Sequence, residues 1–184
     1  MSNTQYWFDR WEEARVKGLP YTWFTSWDNY NSVQRDNIAS VKELVNKLGA
    51  KSVLDFGCGY AEYNEVCENY TGVDIIPELI NENKEKYPNK NFDILPCSFK
   101  DYDLIFAVAV MHYLDYHDFN RYVSLFARHC KWFYMQEVSE KNDDHTVHRD
   151  TGEIIDVVEY YGFRISECKD RRFLFENNKY SITL

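Results

Sequence analysis

The sequence predicts an α/β fold built on a mainly parallel sheet, and three observations carry that expectation. From Ser52 onward, short apolar runs alternate with polar stretches of helical spacing, the arrangement of strands joined by crossover helices. Leu104–Met111 (LIFAVAVM) is eight apolar residues in succession, as in a strand buried on both faces. An earlier apolar run, Val53-Leu54, leads into a glycine-rich turn at Gly57-Cys58-Gly59, where backbone can come within contact distance of a ligand. With 184 residues and 45% hydrophobic composition, the chain can bury one core and is too short for two sizeable ones.

The elements follow in order. Residues 1–50 read as two or three helices, the last being Ser32–Leu48 with Ile38, Val41, Leu44, Val45 and Leu48 on one face. They form an N-terminal cap on a core at residues 51–184, within one domain. The first strand ends at Asp55, and Ala61 is small enough for a following helix to start close to it. Tyr70–Ile75 is the second strand, and Pro77 opens the helix PELINENKEKY. Asn91–Leu95 is a weaker third strand, Leu104–Met111 the fourth, Asp118–His129 a helix and Trp132–Glu137 the fifth strand. A charged loop, SEKNDDHTVHRD, precedes a helix at Gly152–Tyr161. Phe163–Cys168, with either Arg172–Glu176 or Lys179–Leu184, closes the sheet as antiparallel strands.

Composition narrows the function. A net charge of -9 argues against bulk electrostatic grip on a phosphate backbone. There is no run of 18 apolar residues and no basic flank leading into an apolar stretch at the start, so neither a membrane span nor a secretory signal is expected. Five cysteines without a CxxC pair read as reduced thiols of a cytoplasmic protein. His145 and His148, with His117, sit in acidic loop context without cysteine, so no metal site is expected. The Lys169-Asp170-Arg171-Arg172 cluster reads as a solvated hairpin tip. Four of the five tryptophans, Trp7, Trp11, Trp23 and Trp27, fall within the first 27 residues, which sets that segment apart.

The stretch VLDFGCGYAE (residues 53–62) and Asp74, fifteen residues after Gly59, together follow the logic of nucleoside binding in βαβ units: a glycine turn, then a carboxylate placed for ribose hydroxyls. The combination resembles the class I S-adenosylmethionine-dependent methyltransferases, whose first motif reads acidic-x-Gly-x-Gly. The resemblance continues through GVDIIPELI and DYDLIFAVAVMHYL and covers roughly residues 50–165. Dinucleotide-binding turns usually lack the preceding acid, which would repel a pyrophosphate but suits the cationic methionine moiety. Ala61 replaces the third glycine common in the family.

The resemblance implies a seven-stranded, mostly parallel Rossmann-like sheet of order 3-2-1-4-5-7-6 and S-adenosyl-L-methionine as cofactor. It places Asp74 on the ribose, Asp55 near the methionine amino group, and the backbone of Gly57, Cys58 and Gly59 against the cofactor. Cys97, Ser98 and Phe99 fall in the adenine region, and Ile75 packs on the ring. His112, just past the fourth strand, is the first candidate base or else a structural histidine, and Glu137 is the second. The segment after the fourth strand lacks the motif used on exocyclic amines of DNA bases, and Pro96-Cys97 precedes that strand instead of following it, so no DNA substrate is expected. Tyr6, Trp7, Trp11, Tyr21 and Trp23 either line a substrate pocket or pin the cap to the sheet. The expected function is methyl transfer to a small molecule. Methylation of a protein or RNA, and a non-catalytic cofactor-binding regulator, are the alternatives.

Overall fold

The computed structural model describes residues 3–17, 30–137 and 146–181. Seven strands form one sheet: β1 (Ser52–Phe56), β2 (Asn69–Asp74), β3 (Asn91–Ile94), β4 (Tyr102–Val108), β5 (Cys130–Gln136), β6 (Phe163–Lys169) and β7 (Arg172–Asn177). Their order is β3-β2-β1-β4-β5-β7-β6, as the family resemblance implies. All pairs from β3 to β5 are parallel, while β7 runs antiparallel to β5 and β6. The helices are α1 (Asn3–Lys17), α2 (Tyr30–Leu48), α3 (Pro77–Lys86), α4 (Tyr116–His129) and α5 (Thr151–Tyr160). Element ends differ from the sequence expectation by one or two residues at most positions.

The central strand shows why its run is apolar throughout. Period-two alternation sends Leu104 and Phe106 to one face and Ile105 and Ala107 to the other, and all four are fully buried. On the first face they meet Val41 and Val45 of α2, with Val53, Tyr134 and Leu174. On the second they meet Phe119, Tyr122 and Phe126 of α4, with Phe133, Phe163 and Phe175. Much of the aromatic content is spent here: Phe126 lies 5.1 Å from both Phe56 and Phe133, in edge-on or tilted contact.

Three expectations need correction. The apolar run 104–111 is not one strand, because β4 ends at Val108 and Ala109 turns the chain with φ 57. Met111–Tyr113 then forms a short 3-10 turn whose Met111 is core, so the run serves two elements. No helix follows the glycine turn. Residues 57–66 are successive turns, in which Ala61 N–H donates to Cys58 O, Asn64 N–H to Ala61 O and Val66 N–H to Tyr63 O. Ala61 itself adopts φ 57, which interrupts helical continuation. The last strand is Arg172–Asn177 and not Lys179–Leu184: residues 178–180 form a turn, and 182–184 lie outside the described residues. The β6–β7 hairpin turns through Asp170 and Arg171, both left-handed, at φ 50 and 56.

Helix α1 lies over the carboxyl ends of the strands. Trp11 and Ala14 are buried, and Trp11 clusters with Ile76 and Leu79, flanked by Trp7, Tyr60 and Ile75. The Trp7 ring meets Tyr113 edge-on at 4.7 Å. The helix therefore spans from the β2–α3 junction to the turn after β4.

Candidate cofactor and acceptor site

The glycine turn is held from below by β2. Gly57 and Cys58 both donate their backbone N–H to Val73 O, at 2.8 and 3.0 Å. Gly57 has φ 76, and a Cβ there would stand 2.6 Å from Val110 Cγ2, so conformation and packing both demand glycine. Gly59 has φ 51. Its N–H donates to Asp74 Oδ2 at 3.0 Å, and its carbonyl accepts from Asn83 Nδ2 at 2.7 Å. Asp74 also accepts from Ile76 N–H through Oδ1 at 3.2 Å. Sequence and structure thus bring together the turn and the carboxylate proposed for the ribose. Asn83, buried on α3, is a supporting residue that sequence reasoning missed, because one asparagine in a polar helix carries no distinguishing signal.

Asp55 lies beneath the turn, not at its surface. It is 2% exposed and accepts a 2.6 Å hydrogen bond from Tyr70 Oη. Burial raises its pKa to about 7, against the lowering effect of Tyr70. Burial also raises the pKa of Asp74, against the backbone N–H groups of Gly59, Ile76 and Ile75. The Cys58 side chain is buried next to the position where a Gly72 Cβ would clash, so its thiol fills a gap between strands. Ile75 belongs to the Trp11 cluster. Beyond β3, Ser98 is exposed, while Cys97 and Phe99 pack against the core, Phe99 stacking on Phe126 at 6.0 Å.

A second group gathers past β4 and β5. His112 and Glu137 are buried, with Nδ1 3.9 Å from Oε2. Burial lifts Glu137 to about pKa 7, opposed by the positive charges of Arg149 and Arg171. Its Oε1 has no hydrogen-bond partner among the described residues. Arg149, 1% exposed, is the largest fully buried side chain among the described residues and another that the sequence did not single out, hidden in a charged loop. Arg171 is not a solvated tip residue: its Nη2 donates to Arg149 O at 3.0 Å, and its own carbonyl accepts from Glu137 N–H. His117 and His148 are exposed, and His145 lies outside the described residues. Of the proposed substrate residues, Trp7 and Tyr6 are partly exposed, their rings 5.2 Å apart, whereas Trp11 is buried. Tyr21 and Trp23 lie outside the described residues.

The residues present suit S-adenosylmethionine. Asp74 is partly exposed and accepts from Gly59 N–H on Oδ2 and Ile76 N–H on Oδ1, with lone-pair capacity left for ribose hydroxyls.

Comparison with known proteins agrees. Residues 54–132 match the family model described as a methyltransferase domain. The magnesium protoporphyrin IX methyltransferase of Synechocystis PCC 6803, solved with bound SAH, superposes with a TM-score of 0.70 at 16% identity, covering 92% of this chain and 94% of that one. A TehB-like SAM-dependent methyltransferase from Corynebacterium glutamicum gives a TM-score of 0.62 at 16% identity, covering 95% and 97%. The sugar N-methyltransferase KedS8 from Streptoalloteichus gives 0.65 at 13% identity, covering 76% and 86%. No curated protein matches by sequence. The sheet order is that of the class I methyltransferase fold, and residues 54–132 carry the match to the methyltransferase domain. The particular reaction within that class rests on the acceptor site.

Proposed function

We propose that this methyltransferase acts on a small molecule held between the glycine turn and α1, with His112 and Glu137 handling the acceptor's proton. The observation that carries this reading is the anchoring of α1 across the carboxyl ends of β2 and β4 through Trp11 and Trp7. A roof of that kind excludes water and favours a compact acceptor over an extended polymer.

When bound, S-adenosylmethionine would supply a sulfonium methyl group, the acceptor lone pair bonding to the methyl carbon as the carbon–sulfur bond breaks and the neutral thioether leaves. The chain's own residues align the two partners, a contribution of roughly 7–11 kcal/mol at best. Asp74 fixes the ribose, and the Gly57–Gly59 backbone and Asp55 receive the amino acid end. An oxygen acceptor must also lose a proton. Glu137, with a pKa of about 7, is balanced between accepting and releasing one near neutral pH, and His112 lies 3.9 Å from it to relay the proton. Trp7, Tyr6 and Tyr113 supply the apolar wall, while Trp11 serves to dock the helix.

The test is incubation with methyl-labelled cofactor and fractionated cell extract. Label is expected in the small-molecule fraction. Label in the protein or RNA fraction would replace this reading, and tight cofactor binding without transfer to any fraction would make the protein a non-catalytic binder.

A further inference from the structure

The buried arginine behind the acceptor site makes no hydrogen bond to the glycine turn or to Asp74 among the described residues, and its contacts are specific. Arg149 Nη2 donates to Leu114 O at 2.6 Å and Nη1 to Met111 O at 3.2 Å, so one guanidinium ties together both ends of the turn that carries His112. Its Cζ lies 4.2 Å from the Phe119 ring centroid and 5.0 Å from that of Tyr116. The charged groups around it are Glu137 at the end of β5, Asp115 ahead of α4 and Glu153 of α5, with Arg171 of the β6–β7 turn bonded to its carbonyl. None of the carboxylates forms an ion pair with it among the described residues. A buried cation without a carboxylate in direct contact is costly, and an apolar side chain would fill the same space at a lower desolvation penalty.

We propose that Arg149 is a positioning residue for the acceptor site: its forked contacts hold the 111–114 turn so that His112 stays against Glu137. The two carbonyls fix the turn's span, and the planar fork reaches both at once, which a single ammonium does not. Its positive charge also favours the carboxylate form of Glu137, as does that of Arg171. This inference rests on the reading of His112 and Glu137 as the proton-handling pair.

The test uses the full chain with Arg149→Met and Arg149→Lys. Cofactor affinity by titration calorimetry is expected to stay within about threefold of wild type, because the Gly57–Gly59 turn and Asp74 lie outside these contacts. The His112 ring resonances, assigned by their loss in His112→Gln, are expected to move in both variants. In Arg149→Met the pH at which they sense Glu137 rises by about half a unit or more, whereas Arg149→Lys keeps the charge and that midpoint. Methyl transfer falls about 100-fold in kcat in both variants, with the cofactor KM unchanged. A folded Arg149→Met with wild-type His112 resonances and midpoint overturns the proposal. If that variant does not fold, an unchanged His112 spectrum in Arg149→Lys overturns it equally. A wild-type protein that methylates nothing would sink the functional reading alone, since resonances and cofactor binding are read without an acceptor.

Discussion

Two left-handed positions, Gly57 in the glycine turn and Ala61 just after it, differ in what a methyl group does there. Gly57 is held by φ 76 and by the Val110 methyls where its Cβ would stand. Gly57→Ala combines left-handed strain with overpacking, so a loss of about 2–4 kcal/mol in thermal unfolding is expected, with cofactor binding lost alongside. Ala61, also left-handed at φ 57, already bears such strain in a fully buried site. Ala61→Gly removes about 1–2 kcal/mol of strain against a larger unfolded-state entropy worth roughly 0.5–1 kcal/mol. The expected result in urea unfolding is therefore a stability unchanged or raised by up to about 1.5 kcal/mol; a clear loss would mean the methyl group's packing outweighs the backbone. At Asp74, replacement by Ala removes acceptors for the ribose and for Gly59 N–H together. The expected loss in cofactor affinity is roughly tenfold to a hundredfold by calorimetry, from hydrogen bonds to a charged group worth about 1.5–3 kcal/mol.

At the scale of the element, α1 is attached chiefly through one tryptophan. Trp11→Ala removes the ring that joins Ile76 and Leu79, so the helix is expected to undock while the sheet stays folded. Hydrogen exchange would show faster exchange confined to residues 3–17, with transfer falling; exchange unchanged there would show that Trp7 and Ala14 suffice. The elements that sequence patterning recovered are those with a strong period: α2 with its apolar stripe, and strands such as β2 and β5 that pair on both sides. The glycine turn and Asp74 were legible because backbone approach and ribose chemistry restrict residue type. The end of β4 was not, since Ala109 carries no mark of its positive φ and Met111 is as apolar in the 3-10 turn as in a strand. The missing helix after β1 had the same cause at Ala61. Arg149 and Asn83 stayed hidden because burial of a polar side chain is decided by distant elements and leaves no local pattern.

For the whole molecule, three buried carboxyls, Asp55, Glu137 and Asp74, are raised by burial and make stability vary with pH. Asp55 moves from 3.8 to about 7 and Glu137 from 4.5 to about 7, both mainly through burial. Between the ordinary and the raised values the folded chain holds protons that the unfolded chain has released, so stability falls as pH rises across that interval. The contribution is complete below about pH 4 and is lost as pH passes through about 7, on the order of 3 kcal/mol for each group. Asp103 acts in the opposite sense: Lys131 and the backbone N–H groups of Lys51 and Ser52 hold its pKa down, so its contribution disappears in acid. Urea unfolding is thus expected to show greater stability near about pH 5.5 than near about pH 8.5. In Glu137→Gln one of these titrating carboxyls is gone, and the difference between those conditions should shrink by about 2 kcal/mol. An undiminished difference in that variant would mean that Glu137 titrates near its ordinary value. Near-neutral titration is what a proton acceptor at this position needs, so the same measurement bears on the acceptor chemistry: a carboxyl that stays ionised throughout would leave His112 as the base.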